Sequence, residues 1–255
     1  MLKICKYVIY DILRSKVLIA YMLFLLAISF SLFALSGDSA KSTVSVMSVV
    51  LIIVPLISIV FSTTYFYNSY QFIELLVAQP VSRVTLLAGV YAGIAVSLVT
   101  VFVVGIGIPV CIYMPDSTGA MLIVSGGALT LTFVSLAFWA SVITRDKARG
   151  IGLSLLLWFY FAVLYDAIVL IVLFAFNEYP LDKAVIALAS LNPIDLSRIL
   201  VLMKLDIAAL MGFTGAVYKQ FLGTMFGLVY AGALLLLWIT IPLGFAFRIF
   251  GRKDL

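Results

Sequence analysis

Residues 66–83 read FYNSYQFIELLVAQPVSR, and they separate two long apolar runs, 44–65 before them and 84–113 after them. A bilayer core takes roughly 20 consecutive apolar residues per helical span. Either flanking run is long enough to cross; the stretch between them, with Asn68, Gln71, Glu74, Gln79 and Arg83, is not. Within it Phe66, Tyr70, Ile73 and Val77 recur at i, i+4, i+7 and i+11, one stripe of a helix. Pro80 ends that helix near Ala78, because a residue preceding proline avoids the helical region. The pattern predicts a short helix lying on the membrane surface between two spans, with Arg83 opening the second. Such a helix is either an interfacial anchor or a docking element through which a cytosolic partner pushes on the membrane part.

Outward from this stretch the chain stays apolar. It has 255 residues, 65% of them hydrophobic and 11% charged, against roughly half and a quarter in soluble domains, and its mean hydropathy is +1.27. Six runs are long enough to span: about 17–35, 44–65, 84–113, 120–143, 151–176 and 222–247. They lack the period-two alternation of a membrane barrel, so the expected fold is an all-α membrane protein in one permease-like unit, 1–255. Pro55 predicts a kink in the second run. The opening MLKICKYVIYDILRSK is long and amphipathic, and no small-x-small site follows the first apolar run, so that run is expected to stay as an anchor.

Basic residues set the orientation. With the N-terminus inside, eleven of the sixteen lysines and arginines fall on cytoplasmic segments, most of them in short turns such as TRDKARG (144–150). Both termini are then cytoplasmic, the 66–83 stretch is inside and residues 177–221 are outside. The basic turns adjoin spans and carry no interleaved aromatics, so they read as topology determinants and not as a nucleic-acid surface.

The segment IELLVAQPVSR (73–83) resembles an element of type-2 ABC exporter permeases: a glutamate, two hydrophobic residues, then proline, a hydrophobic residue, Ser or Thr, and arginine. Glu74, Pro80, Ser82 and Arg83 carry the match. NPIDLSRILVLMKLDIAALMGFTGAVYKQF (192–221) is similar to the outer segment of NosY-type permeases, membrane subunits of the transporter that matures nitrous oxide reductase. The resemblance implies an inner-membrane, multi-pass permease in a bacterium, working beside a second copy of itself. Phe66, Tyr70, Gln71, Glu74, Pro80, Ser82 and Arg83 would then form the coupling helix for a cytosolic ATPase dimer. It further implies a periplasmic solenoid-type copper-delivery partner. No G-x-x-x-x-G-K-[ST] loop occurs, so ATP and Mg belong to the partner ATPase, and no cofactor is expected on this chain. An ordinary exporter of a hydrophobic solute and an unenergised membrane scaffold are the alternatives.

The 177–221 segment is long and not polar. It reads as two short helices divided at Asn192–Pro193, a capping residue followed by a proline suited to a first helical position. Asp195 and Arg198 stand at ion-pair spacing, whereas Lys204 falls opposite Asp195 and Asp206, so no face is cleanly polar and burial on several sides is expected. Asn192, Pro193, Asp195, Arg198, Lys204 and Asp206 are the candidate contacts for a periplasmic partner; the alternative is a hairpin that only seals a dimer. Asp166 is the ionisable residue deepest in a run, and an unpaired charge there is costly. A hydrogen bond to Tyr160, Tyr165 or a polar group on another span is favoured over a proton path. Soft sulfur donors for Cu(I) exist in Cys111, Met114, Met203 and Met211, but they are scattered, so no metal site is expected. GVYAG (89–93) matches the G-x-x-x-G spacing that lets helices approach closely.

Overall fold

The computed structural model describes residues 2–35, 39–70, 82–144, 146–176, 182–204 and 225–252. Gln71, Glu74, Pro80, Asp206 and Met211 lie outside these residues. Among the described residues every regular element is helical. An amphipathic helix α1 (Leu2–Leu13) leads into α2 (Lys16–Leu35), and α3 runs Ser39–Asn68. The third span is built from α4 (Arg83–Phe102), a π turn at Val103–Gly107 and α5 (Ile108–Tyr113). The fourth is α6 (Ser117–Ile143), started by Asp116, whose carboxylate accepts from the Gly119 N–H at 2.9 Å. The fifth joins α7 (Lys147–Phe159), a second π turn at Tyr160–Leu164 and α8 (Tyr165–Ala175). Two short helices, α9 (Asp182–Ser190) and α10 (Pro193–Leu202), precede the long α11 (Met225–Arg252).

Six helical stretches are long and apolar enough to cross a membrane: Lys16–Leu35, Lys41–Asn68, Arg83–Tyr113, Ser117–Ile143, Lys147–Ala175 and Gly227–Arg252. The last continues past Phe247 to Arg252; Arg248 and Arg252 end a span without breaking it, because long basic side chains reach back to the interface. Helix α6 is the axis of the bundle and touches α3, α4, α7, α10 and α11. Of its most apolar window 67% is buried, against 11% for the fifth span. The fifth span therefore turns Leu156, Ile171 and Phe174 outward toward hydrocarbon or another chain.

Between helices in lipid there is little hydrophobic driving force, so close packing and satisfied polar groups hold the bundle. On α6 the hydroxyls of Thr130, Thr132, Ser135 and Ser141 each donate to the carbonyl four residues back, at 2.7 to 2.9 Å. Small residues admit large neighbours: a Cβ on Gly126 would lie 2.3 Å from the Phe102 ring, and one on Gly105 2.7 Å from Leu25 Cβ. Gly93 of the GVYAG stretch accepts α1, with Val8 Cγ1 only 2.5 Å from where its Cβ would be. The close approach anticipated from that spacing is thus made with the N-terminal amphipathic helix. Pro55 sits inside α3, and in the turn it loosens the Ile52 carbonyl accepts from the Trp158 indole N–H at 3.2 Å.

Replacing Gly93 with Ala wedges α1 from α4 and lowers stability by about 1–3 kcal/mol. Gly127→Ala, at a position with nothing within 4 Å of the new Cβ, changes it by less than about 1 kcal/mol. Thermal unfolding of the two variants in one detergent reads the difference.

Candidate functional site

One polar cluster forms where α3 and α6 end and α7 begins. Phe66 belongs to the last turn of α3. It is 2% exposed and packs edge-on against Phe138 and Tyr67. This corrects the surface stripe read from the sequence: the second span extends through Asn68, so Phe66 lies in the core and cannot face a cytosolic partner. Tyr70 is half-buried against the same core. Ser82 caps α4, its hydroxyl accepting from the Thr85 N–H at 3.2 Å, and Arg83 is the first residue of that helix, half-buried. Residues 71–81, which include Gln71, Glu74 and Pro80, fall outside the described part.

Tyr67 joins three helices, a role its place in the sequence does not signal. Its phenol lies 2.5 Å from Thr144 Oγ1 and donates to the Ser141 and Thr144 carbonyls at 3.2 and 3.3 Å. Gly150 is packed so closely that a Cβ there would sit 2.2 Å from the phenol oxygen. Beside it the Lys147 ammonium donates to Asn68 Oδ1 at 2.7 Å. The base of the 66–83 stretch is thereby clamped to the start of the fifth span.

A second cluster stands about 28 Å further along that span, at 1.5 Å rise per residue from Lys147 to Asp166. Asp166 carries an ion pair with Arg198 on α10, Nη2 to Oδ2, at 3.1 Å. The same guanidinium meets Asp195 through Nη1 at 2.9 Å. The partner of Asp166 is therefore a cation on the short helix and not a tyrosine; the Tyr165 hydroxyl donates instead to the Leu188 carbonyl. Asn192 completes the group. Its side-chain oxygen caps α10 at the Ile194 N–H, 3.0 Å, and its amide donates to Asp195 Oδ2 at 3.1 Å and to the Phe161 carbonyl at 3.0 Å. That carbonyl lies in the π turn, whose irregular ladder leaves backbone groups for outside partners.

Asn192, Pro193 and Asp195 are buried, and of α10 only Arg198 is not. This corrects their reading as outward contacts. They brace α10 against the bundle, while Arg198 is about one-third exposed and Lys204 is exposed. Burial pushes the Asp195 carboxyl up to about 6; the Arg198 charge and the Asn192 amide oppose that rise, and the neighbouring Asp166 charge adds to it. Ser190 binds Tyr230 at 3.0 Å, and its carbonyl accepts from the Trp238 indole at 3.4 Å, so α9 is tied to α11 as well. Cys111 is exposed whereas Met114 is buried and accepts from the Thr43 hydroxyl, so those two sulfurs diverge. Among the described residues no three Cys, Asp or Glu side chains converge as metal ligands.

Arg198→Met leaves two carboxylates without their cation and lowers stability by about 1–3 kcal/mol, between the values for exposed and fully buried pairs. Adding Asp166→Asn recovers part of the loss. The raised Asp195 group binds its proton in the folded chain at a pH where the unfolded chain does not. Stability therefore rises as pH falls through about 6 toward 4 and is lower at pH 7.5. Asp195→Asn flattens this part of the curve in melting experiments at pH 5 and 7.5.

Comparison with known proteins agrees with this architecture. Residues 4–255 match the family described as ABC-2 family transporter protein. Over 145 residues the chain is 30% identical to a probable ABC transporter permease protein, NosY, of Pseudomonas aeruginosa. That match covers 53% of this chain and 53% of the relative, so the chain spans about half the length of the curated relative it matches. A helical bundle with six spans, matched nearly end to end, places this chain in the ABC-2 family of ABC transporter membrane permeases.

Proposed function

We propose that this permease converts ATP hydrolysis by a separate cytosolic ATPase into movement of the α9–α10 hairpin on the opposite side of the inner membrane. In this reading both termini are cytoplasmic, and two copies of the chain stand over an ATPase dimer that holds ATP and Mg. Residues 71–83, with Glu74 and Gln71 foremost, contact the ATPase. The observation that carries the reading is an unbroken line of contacts. Asn68 grips the start of the fifth span through Lys147, with Tyr67 bonded to Thr144 at the end of the fourth, and the second half of the fifth span holds α10 through Asp166 and Phe161 and α9 through Tyr165. A push at the base of the 66–83 stretch is delivered to α7, carried along a stiff helix, and released at an ion-paired joint with the hairpin.

The task we assign to this movement is copper-site maturation of nitrous oxide reductase, acting on a periplasmic solenoid-type partner. Support comes from the resemblance at 192–221 and from the similarity to a permease named NosY. Among the described residues, Lys204 and Leu191, both exposed, and the outward part of Arg198 are available to such a partner.

Glu74→Lys should abolish co-purification with the ATPase, whereas Arg198→Met should keep the ATPase bound and lose reductase metallation. Unchanged ATPase binding by the Glu74 variant would show a membrane scaffold instead. Fully metallated reductase in a strain lacking this chain would remove the copper role and leave an exporter.

A further inference from the structure

A cavity of about 610 Å³ opens beside the corner between α1 and α2 and shares only Asn68 with the transmission line described above. Its lining divides by depth. Asp11, Arg14, Asn68 and Ser69 form the mouth, and Val60 and Phe61 form the wall. The mouth lies at the membrane boundary, since the first span begins at Lys16 and the second ends at Asn68. The wall lies about 10–12 Å deeper, seven or eight residues back along α3. A polar mouth at the level of headgroups over an apolar wall at the level of acyl chains is the profile of a phospholipid.

The mouth carries both signs of charge. Arg14 has one donor on the Tyr10 hydroxyl at 3.0 Å, with its guanidinium over that ring, which leaves other N–H groups of its fork for an anion. Asp11 accepts from Tyr65 through Oδ2 at 2.9 Å, which leaves Oδ1 for a donor. These two charges stand three residues apart at one end of α1. An acidic headgroup would meet the Asp11 charge, and a quaternary ammonium has no N–H to give it. We propose that the cavity binds a zwitterionic phospholipid with a primary-ammonium headgroup, its phosphate on Arg14, its ammonium on Asp11 and an acyl chain along Val60 and Phe61.

Native mass spectrometry of the full chain in detergent, titrated with dioleoyl phosphatidylethanolamine, phosphatidylcholine and phosphatidylglycerol, tests this. The ethanolamine lipid should be retained about fivefold better than the other two, the effect of one partly exposed ion pair. Asp11→Asn should bring ethanolamine and choline lipids level, and Arg14→Gln should weaken all three about fivefold. Val60→Trp, which fills the wall and leaves both charges in place, should exclude all three lipids. A melting curve for each variant checks that it is folded. Wild-type chain that holds all three lipids equally, prefers the glycerol lipid, or keeps its profile in the Asp11 and Val60 variants overturns the assignment.

Discussion

One guanidinium shared by two carboxylates holds the far part of this molecule in place. Arg198 stands between Asp166 of the fifth span and Asp195 of its own helix, and each of those charges would be costly at its site without it. The joint is unequal by construction: two negative groups face a single cation, and the more buried acid, Asp195, relieves the excess by holding its proton to higher pH. A contact of this kind registers α10 against α8, and it is the joint on which the relay proposed above depends.

The fifth span is suited to that relay by how little of it is buried. It touches the bundle along one face of its first two-thirds, through Lys147 and Gly150 at the start, Ser154 and Trp158 against α3, and Phe161, Tyr165 and Asp166 beyond them. Its other face presents Leu156, Phe159, Ile171 and Phe174 outward, so less of it is packed than of α6. The π turn at Tyr160–Leu164 gives the span one irregular place, and Asn192 is bonded there. By contrast α6 is gripped on all sides and fixes the frame against which such a shift is measured.

The aromatic residues at the opposite end serve registration. Tyr67 reaches two carbonyls and a hydroxyl in the last turn and cap of α6, and Gly150 leaves just enough room for its ring. Phe66 locks the same turn into the core. The stretch that follows thus departs from a fixed point, and Ser82 re-establishes the backbone at the start of α4 by capping it.

Much of the architecture is written in composition and spacing. Runs of about 20 apolar residues must be helices in a bilayer, because no other single segment satisfies its own backbone there. Asn192–Pro193 marks a helix start by local geometry alone. Local rules of this kind need no knowledge of neighbours. What they could not supply was partnership. Asp166 and Arg198 are far apart in sequence, and nothing in either neighbourhood says that a cation on a short interspan helix reaches into a span. Tyr67 looks like any interfacial aromatic until α6 and α7 are placed beside it. Phe66 reads as part of an exposed stripe because its spacing to Tyr70 is helical, yet spacing fixes only which residues share a face, and packing decides what that face meets. The sequence by itself determined that this is a six-span helical membrane protein, since the solvent imposes that on each segment separately. Only the tertiary structure decided that two polar clusters lie on one span, since that depends on which helices close around it.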